Sequence, residues 1–176
     1  MSTIDRSMKF VSINIALITI SDTRNEENDK SGIFLQNRII NLGHTVSKKL
    51  IISDNINQIK KTLTNLSKEP LIDAIITTGG TGLTGRDSTP EAVMDLSEKI
   101  IDGFGELFRQ ISFDKIGTST IQSRAIAGVI NHTYVFSLPG SPGACKDGWD
   151  DILRYQLDIR HRPCNFIEIM PRLNEK

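Results

Sequence analysis

Apolar and polar positions along this chain fall into a repeating block. Phe10–Ile20 (FVSINIALITI) is β-branched and mostly apolar, the pattern of a strand buried on both faces. A polar stretch, SDTRNEENDK, follows it, and a helix is then expected from Ser31 to Gly43, with Ile33, Phe34, Ile40 and Leu42 forming much of its apolar stripe. His44–Ile52 alternates and then turns apolar, as a second strand. Ser53-Asp54-Asn55 offers N-caps for a helix in which Ile56, Ile59, Leu63 and Leu66 recur at three- and four-residue spacing. Leu71–Thr77 (LIDAIIT) is the third strand.

The second half is more helical. Pro90, after Ser88 and Thr89, suits the first position of a short helix running to about Lys99. Gly103–Phe113 (GFGELFRQISF) puts Phe104, Leu107, Phe108 and Ile111 on one helical face, a stripe that the first half does not obviously need for its own core and that is equally compatible with core packing and with a surface between subunits. Ser119–Ile126 reads as another helix. Gly128–Ile130 and Thr133–Leu138 flank Asn131-His132 as an antiparallel hairpin on the sheet edge, and a last helix runs from about Gly143 to Arg160 before an extended tail.

A β-α-β-α-β half of this kind predicts an α/β fold: a three-layer α/β/α sandwich with a mostly parallel sheet and an antiparallel edge hairpin. Ligands in such folds bind beyond the carboxyl ends of the strands. The loops expected there are Ser21–Asp29, Ser53–Asn55 and Thr78–Pro90. Residues 1–9 read as a flexible arm, 10–168 as a single domain and 169–176 as a tail.

Composition narrows the function. The 176 residues carry 21 Lys+Arg against 21 Asp+Glu, so no basic footprint marks a nucleic-acid or anionic-membrane partner. The apolar run after the polar residues 1–9 is too short to span a bilayer and has no small-residue cleavage site after it, so a cytoplasmic location is expected. Cys145 and Cys164 form no CxxC pair, and His161 near Cys164 does not complete a zinc ligand set. Cys145 has no partner base visible in the sequence, and His44, His132 and His161 read as surface or packing residues.

The chemistry concentrates in TTGGTGLTGRDSTPEA, residues 77–92. Gly80–Gly85 satisfies GxGxxG after a strand, but the next helix opens at Pro90, and no acidic residue ends a following strand as a dinucleotide site requires. No GK[ST] is present, so a Walker A loop is excluded. Glycines at 79, 80 and 82 can take positive φ and leave backbone N–H groups pointing into one concavity, a nest for an anion, with Thr77, Thr78 and Thr81 as hydroxyl donors. The glycines alone are equally compatible with a capped turn. Asp87 favours the nest, because a carboxylate beside phosphates calls for Mg²⁺ between them. Ser21-Asp22, at the end of the first strand, could reach a ligand or form a local turn. Gly140 and Ser141, in PGSPG before the last helix, could bind a second anion or only start the helix. Ser119, Ser123 and Arg124 are weaker candidates for substrate contact.

TTGGTGLTGRDSTPEA, with SDTR after the first strand and LPGSPGA near the end, closely resembles the family of molybdenum cofactor biosynthesis proteins B and Mog, which includes the gephyrin-like molybdopterin-binding domain. GFGELFR, IGTSTIQSRAIAGV and HRPCNF resemble the protein B branch in particular. The resemblance implies a molybdopterin-binding domain, assembled as a homo-trimer or hexamer, and ATP- and Mg²⁺-dependent adenylylation of molybdopterin with release of pyrophosphate. By the same resemblance, Asp54 and Asp87 are the catalytic, Mg²⁺-binding carboxylates. Ser21, Asp22, Thr78, Gly79, Gly80, Thr81, Gly82, Gly140 and Ser141 are the expected substrate and phosphate contacts. A catalytically idle pterin-binding or scaffold protein is the alternative, and a nicotinamide oxidoreductase using the Gly80–Gly85 loop is a distant third.

Overall fold

The computed structural model describes residues 3–175. Its strands are Thr3–Ile4 (β1), Asn14–Ile20 (β2), Thr45–Ile52 (β3), Ala74–Thr78 (β4), Lys99–Ile100 (β5), Ile126–Ile130 (β6), Thr133–Leu138 (β7) and His161–Arg162 (β8). Its helices are Lys30–Leu42 (α1), Ile56–Leu66 (α2), Thr89–Leu96 (α3), Asp102–Ile116 (α4) and Pro142–Gly148 (α5). A π-helical turn at Trp149–Leu153 carries α5 on into Arg154–Gln156 (α6), and Phe166–Ile169 (α7) lies near the end.

Period-two alternation on strands buried on both faces builds two cores. Ile15 and Leu17 of β2, Ile76 of β4 and Phe136 of β7 face Leu35 and Ile39 of α1, Phe104 and Phe108 of α4, and Trp149. Ala16, Ile18 and Ile20 of β2, Ile75 of β4 and Val135 of β7 face Ile59 and Leu63 of α2 with Ala92 and Val93 of α3. The result is the expected three-layer sandwich. The main sheet runs β3-β2-β4-β7-β6-β5, with β3, β2, β4 and β7 parallel, β6 antiparallel to β7, and β5 antiparallel to β6. The hairpin β6–β7 forms as read, with Asn131 (φ 47°) and His132 (φ 66°) as its two-residue turn, and the short β5 pairs outside β6.

Several boundaries differ from the sequence reading, each for a packing reason. The first long strand begins at Asn14, because Phe10 leaves the sheet to stack on His44, ring centroids 4.9 Å apart, beneath the Arg160 guanidinium. The segment read as a helix over Ser119–Ile126 is a 3-10 turn at Gly117–Gln122, then an extended link into β6 at Ile126, after Gly117 (φ 59°) has closed α4. The arm read as loose is paired: Thr3 and Ile4 sit opposite Arg162 and His161. The tail read as extended contains α7 and a 3-10 turn at Met170–Arg172. The apolar stripe of α4 is not spare, since Phe104 (3% exposed) and Phe108 (1%) lie in the core and only Leu107 (42%) faces outward.

Candidate functional site

The parallel strands bring their carboxyl ends to one edge of the sheet. From β2 the chain goes to β3 on one side and returns to β4 on the other, so the loops after β2 and β4 diverge and leave a crevice between them. Gly79 and Gly80 follow β4 there, with φ of 106° and 64°. Both need to be glycine. A Cβ on Gly79 would collide with the Ile20 carbonyl oxygen at the end of β2. A Cβ on Gly80 would collide with Thr89 Oγ1 and stand 3.0 Å from Asp54 Oδ1. The turn is anchored behind: Gly79 N–H donates to the Leu138 carbonyl (3.0 Å), Thr89 N–H to the Gly80 carbonyl (3.0 Å) and Thr89 Oγ1 to the Gly79 carbonyl (3.0 Å).

Three carboxylates gather at this turn. Asn55, not Asp54, caps α2, accepting from the N–H groups of Asn57 (3.0 Å) and Gln58 (3.1 Å). Asp54 is thereby left free to lie over Gly80, with its buried Oδ1 lacking any hydrogen-bond partner. Burial pushes its carboxyl above the ordinary carboxylate range, the negative charges of Asp87 and Asp22 add to the rise, and the Ser88 N–H and Arg86 oppose it. Asp87 behaves differently. Burial alone would raise it, but hydrogen bonds from the Thr84 hydroxyl (2.6 Å) and N–H (2.9 Å), from the Gly82 N–H, and the charge of Arg124 hold it below the ordinary range. Asp22 receives the Asp54 N–H (3.2 Å) and forms an ion pair with Arg86, tying the loop after β2 to the glycine loop.

Two hollows flank the glycines. One of about 380 Å³ is lined by Gly79–Gly82, Asp87, Gln122, Ser123 and Pro139–Ser141. The other, about 200 Å³, lies between Ser21, Thr23, Arg24, Asp29, Ser31 and Thr78. They share Gly79 and Gly140, which approach so closely that a Cβ on Gly140 would stand 3.3 Å from Gly79 Cα. The structure thus brings Ser21, Gly79, Gly80, Thr81, Gly82, Asp87, Gly140 and Ser141 to one cleft, with Asp54 and Asp22 on its β3 side. Some hydroxyls are already engaged. Thr78 Oγ1 donates to the Pro139 carbonyl (3.1 Å) in the interior, and Ser141 Oγ accepts from Ala144 N–H (3.2 Å) as the cap of α5. Among the described residues no cluster of three His, Cys, Asp or Glu side chains forms a ready-made metal site.

Comparison with known proteins bears on this cleft. Residues 16–159 match the family described as "Probable molybdopterin binding domain". Molybdenum cofactor biosynthesis protein B of Escherichia coli K12 is 44% identical over 160 residues, covering 91% of this chain and 94% of that protein. Its counterpart in Bacillus cereus is 47% identical over 147 residues, covering 82% and 86%. The chain belongs to the molybdenum cofactor biosynthesis protein B family. A crystal structure of a protein B superposes with a TM-score of 0.85 at 38% identity, covering 94% of this chain and 98% of the other. The tungsten cofactor synthesizing protein MoaB from Pyrococcus furiosus superposes at 0.77 with 33% identity, covering 93% and 98%. Among the described residues no helix is long and apolar enough to cross a membrane.

Family membership covers the domain and leaves the supporting residues to the geometry. Thr89, Ser31 and Arg124 carried little or no weight in the sequence. Thr89 braces Gly79, Ser31 Oγ donates to the Gly140 carbonyl (2.8 Å), and Arg124 binds the far side of the glycine loop. Ser31 and Arg124 reach partners 109 and 42 positions away, so no local pattern marks them.

Proposed function

We propose that this chain binds molybdopterin in the Gly79–Gly82 cleft and adenylylates its terminal phosphate with ATP. One observation carries the reading: Asp54 Oδ1 is buried without a partner, above a positive-φ glycine and beside two further carboxylates. Such a group calls for more positive charge than Arg86 brings to it. With Asp22 taken up by Arg86, Asp54 and Asp87 remain, and they suit Mg²⁺, which is usually held by one or two carboxylates together with substrate phosphates. Asp54 and Asp87 would hold the ion, and it would supply positive charge against the charge that develops on the phosphates.

The protein's own part is alignment. The pterin's phosphate oxygen forms a P–O bond to the α-phosphorus of ATP while the bond to the β-phosphate breaks, and pyrophosphate leaves with the bonding electrons. The attacking phosphate is already ionised, so no side chain need act as a base. The task is to hold two anions in line, and backbone N–H groups of the glycine loop do so without adding a titratable group. We further propose, from the resemblance, assembly as a trimer or hexamer in the cytoplasm.

The test is purified protein with molybdopterin, ATP and Mg²⁺, scored for adenylylated pterin and pyrophosphate. Product is expected, and Asp87→Ala should reduce it by orders of magnitude in a folded protein. Pterin that binds and yields no product would replace this reading with that of a non-catalytic binder. Light scattering that returns the chain's own 19.6 kDa at micromolar concentration would remove the oligomer.

A further inference from the structure

Arg124 immediately precedes the buried Ala125 at the entry to β6, and its side chain turns back under the glycine loop. Its Nε donates to the Gly82 carbonyl (2.8 Å) and Nη2 to the Asp87 carbonyl (2.8 Å). Its Nη1 pairs with Glu91 Oε1 at the start of α3, and its backbone N–H donates to the Thr81 carbonyl (3.2 Å). One residue thus grips three carbonyls of the loop and the helix that follows it. The remaining ties are few. Among the described residues, the only other hydrogen bond from residues 81–87 to the rest of the chain is the exposed Arg86–Asp22 pair, and such pairs hold weakly. The Asp87–Thr84 bonds are internal to the loop and do not fix it in place.

We propose that Arg124 is the positioning residue of the anion loop. It sets the direction of the loop's N–H groups from behind without touching the ligand. The trans peptide is planar, with C=O and N–H pointing opposite ways. Carbonyls of Thr81 and Gly82 held towards Arg124 therefore turn the N–H groups of Gly82 and Leu83 away from it, the first towards the Asp87 carboxylate. The planar fork is what the role requires, because it satisfies acceptors on separate stretches of chain at fixed angles. A lysine would return the charge and lose that geometry. Anion affinity then depends on a residue whose three guanidinium nitrogens each donate within the protein. The consequence for ligand binding rests on the proposed function, but the claim about loop order does not.

Two measurements separate these claims. Amide hydrogen exchange of ligand-free protein, in wild type, Arg124→Ala and Arg124→Lys, reads the loop directly. Residues 81–87 are expected to exchange about ten-fold faster or more in both variants, as fits the loss of charge-assisted hydrogen bonds, while β2 and β4 keep their protection. Calorimetric titration with Mg·ATP should show affinity falling by a similar factor in both variants. If wild type binds no Mg·ATP while the exchange responds as stated, the proposed function fails and the positioning role stands. Wild-type loop exchange in Arg124→Ala would overturn the proposal. So would full restoration by Arg124→Lys, which would make charge and not the fork responsible. A loss of protection spread evenly over the molecule, with no excess at residues 81–87, would also overturn it by making Arg124 a general stabiliser.

Discussion

Replacing Gly80 by alanine adds one methyl group at the point where backbone shape and carboxylate meet. At φ 64° an L-residue is disfavoured by about 1–2 kcal/mol. The new methyl would also overlap Thr89 Oγ1, the donor to the Gly79 carbonyl at 3.0 Å, and losing that bond costs about 0.5–1.5 kcal/mol. The sum, about 1.5–3.5 kcal/mol, is smaller than a typical total stability of about 5–15 kcal/mol, so the protein should fold and melt about 3–14 °C lower. The control is Gly85→Ala, where a Cβ meets nothing within 4 Å and the change should lie within about ±0.5 kcal/mol. Thermal melts followed by circular dichroism compare the two, and calorimetric titration with Mg·ATP should show lost affinity in Gly80→Ala only. Equal melting temperatures for the two variants would refute the claim that the loop is held at positive φ against Thr89.

Three other outcomes follow from burial and charge. Asp54→Asn removes a carboxylate that burial and the neighbouring Asp87 and Asp22 raise above its ordinary range, so the ligand-free protein should melt higher at pH 7 while adenylylation falls; a lower melt would contradict the repulsion. Phe108→Asp buries a charge at a 1%-exposed core position and should unfold the protein rather than merely dissociate it, whereas Leu107→Asp on the outer side of α4 should keep the melt, as circular dichroism would show. His44 is held below its ordinary 6.5 by burial, against the opposing effects of a Leu157 backbone hydrogen bond and the charges of Asp158 and Asp73, and its Nδ1 accepts from Ile13 N–H (3.2 Å). The unfolded chain therefore takes up this proton first, and stability should be level above pH 6.5 and fall below it by at most about 1.4 kcal/mol per pH unit, with a shallower acid slope in His44→Gln.

What the sequence disclosed divides along the range of the interactions involved. The strands β2 and β4 and the hairpin turn at Asn131-His132 were legible because burial on both faces and a two-residue turn are local patterns. The glycine loop was legible for the same reason. The place of Asp54 was not readable from spacing, because it comes to Gly80 only through the strand order that sets β3 and β4 on either side of β2. It entered through the family resemblance. Helical periodicity showed that α4 has an apolar face but could not show what covers it. The answer, that Phe104 and Phe108 pack against Phe136 and the rest of that core, depends on β6 and β7 further along the chain. The helix read at Ser119–Ile126 failed because sheet pairing by Ile126 outweighed a weak helical propensity.

The two carboxylates of the site are in opposite electrostatic states, and this asymmetry connects the fold to its chemistry. Asp87 is satisfied before any ligand arrives: Thr84 and Gly82 donate to it and Arg124 lies near, so its charge is stable and its position is set. Asp54 is only partly satisfied: the Ser88 N–H and Arg86 favour its charge, but Oδ1 is buried and unpartnered and two negative neighbours stand near. A site in which both were satisfied would bind a cation weakly, since the ion would have to displace existing donors. One in which neither was satisfied would protonate or move apart. Pairing a pre-organised carboxylate with a strained one would give the proposed cation a fixed ligand and leave it a repulsion to relieve. Ligand-free protein carries that repulsion as lost stability, and the backbone ties behind Gly79, Gly80 and Gly82 keep the loop from relaxing away from it. The stability cost and the proposed affinity for a cation with its phosphates would therefore have one origin in the placement of Asp54 over Gly80.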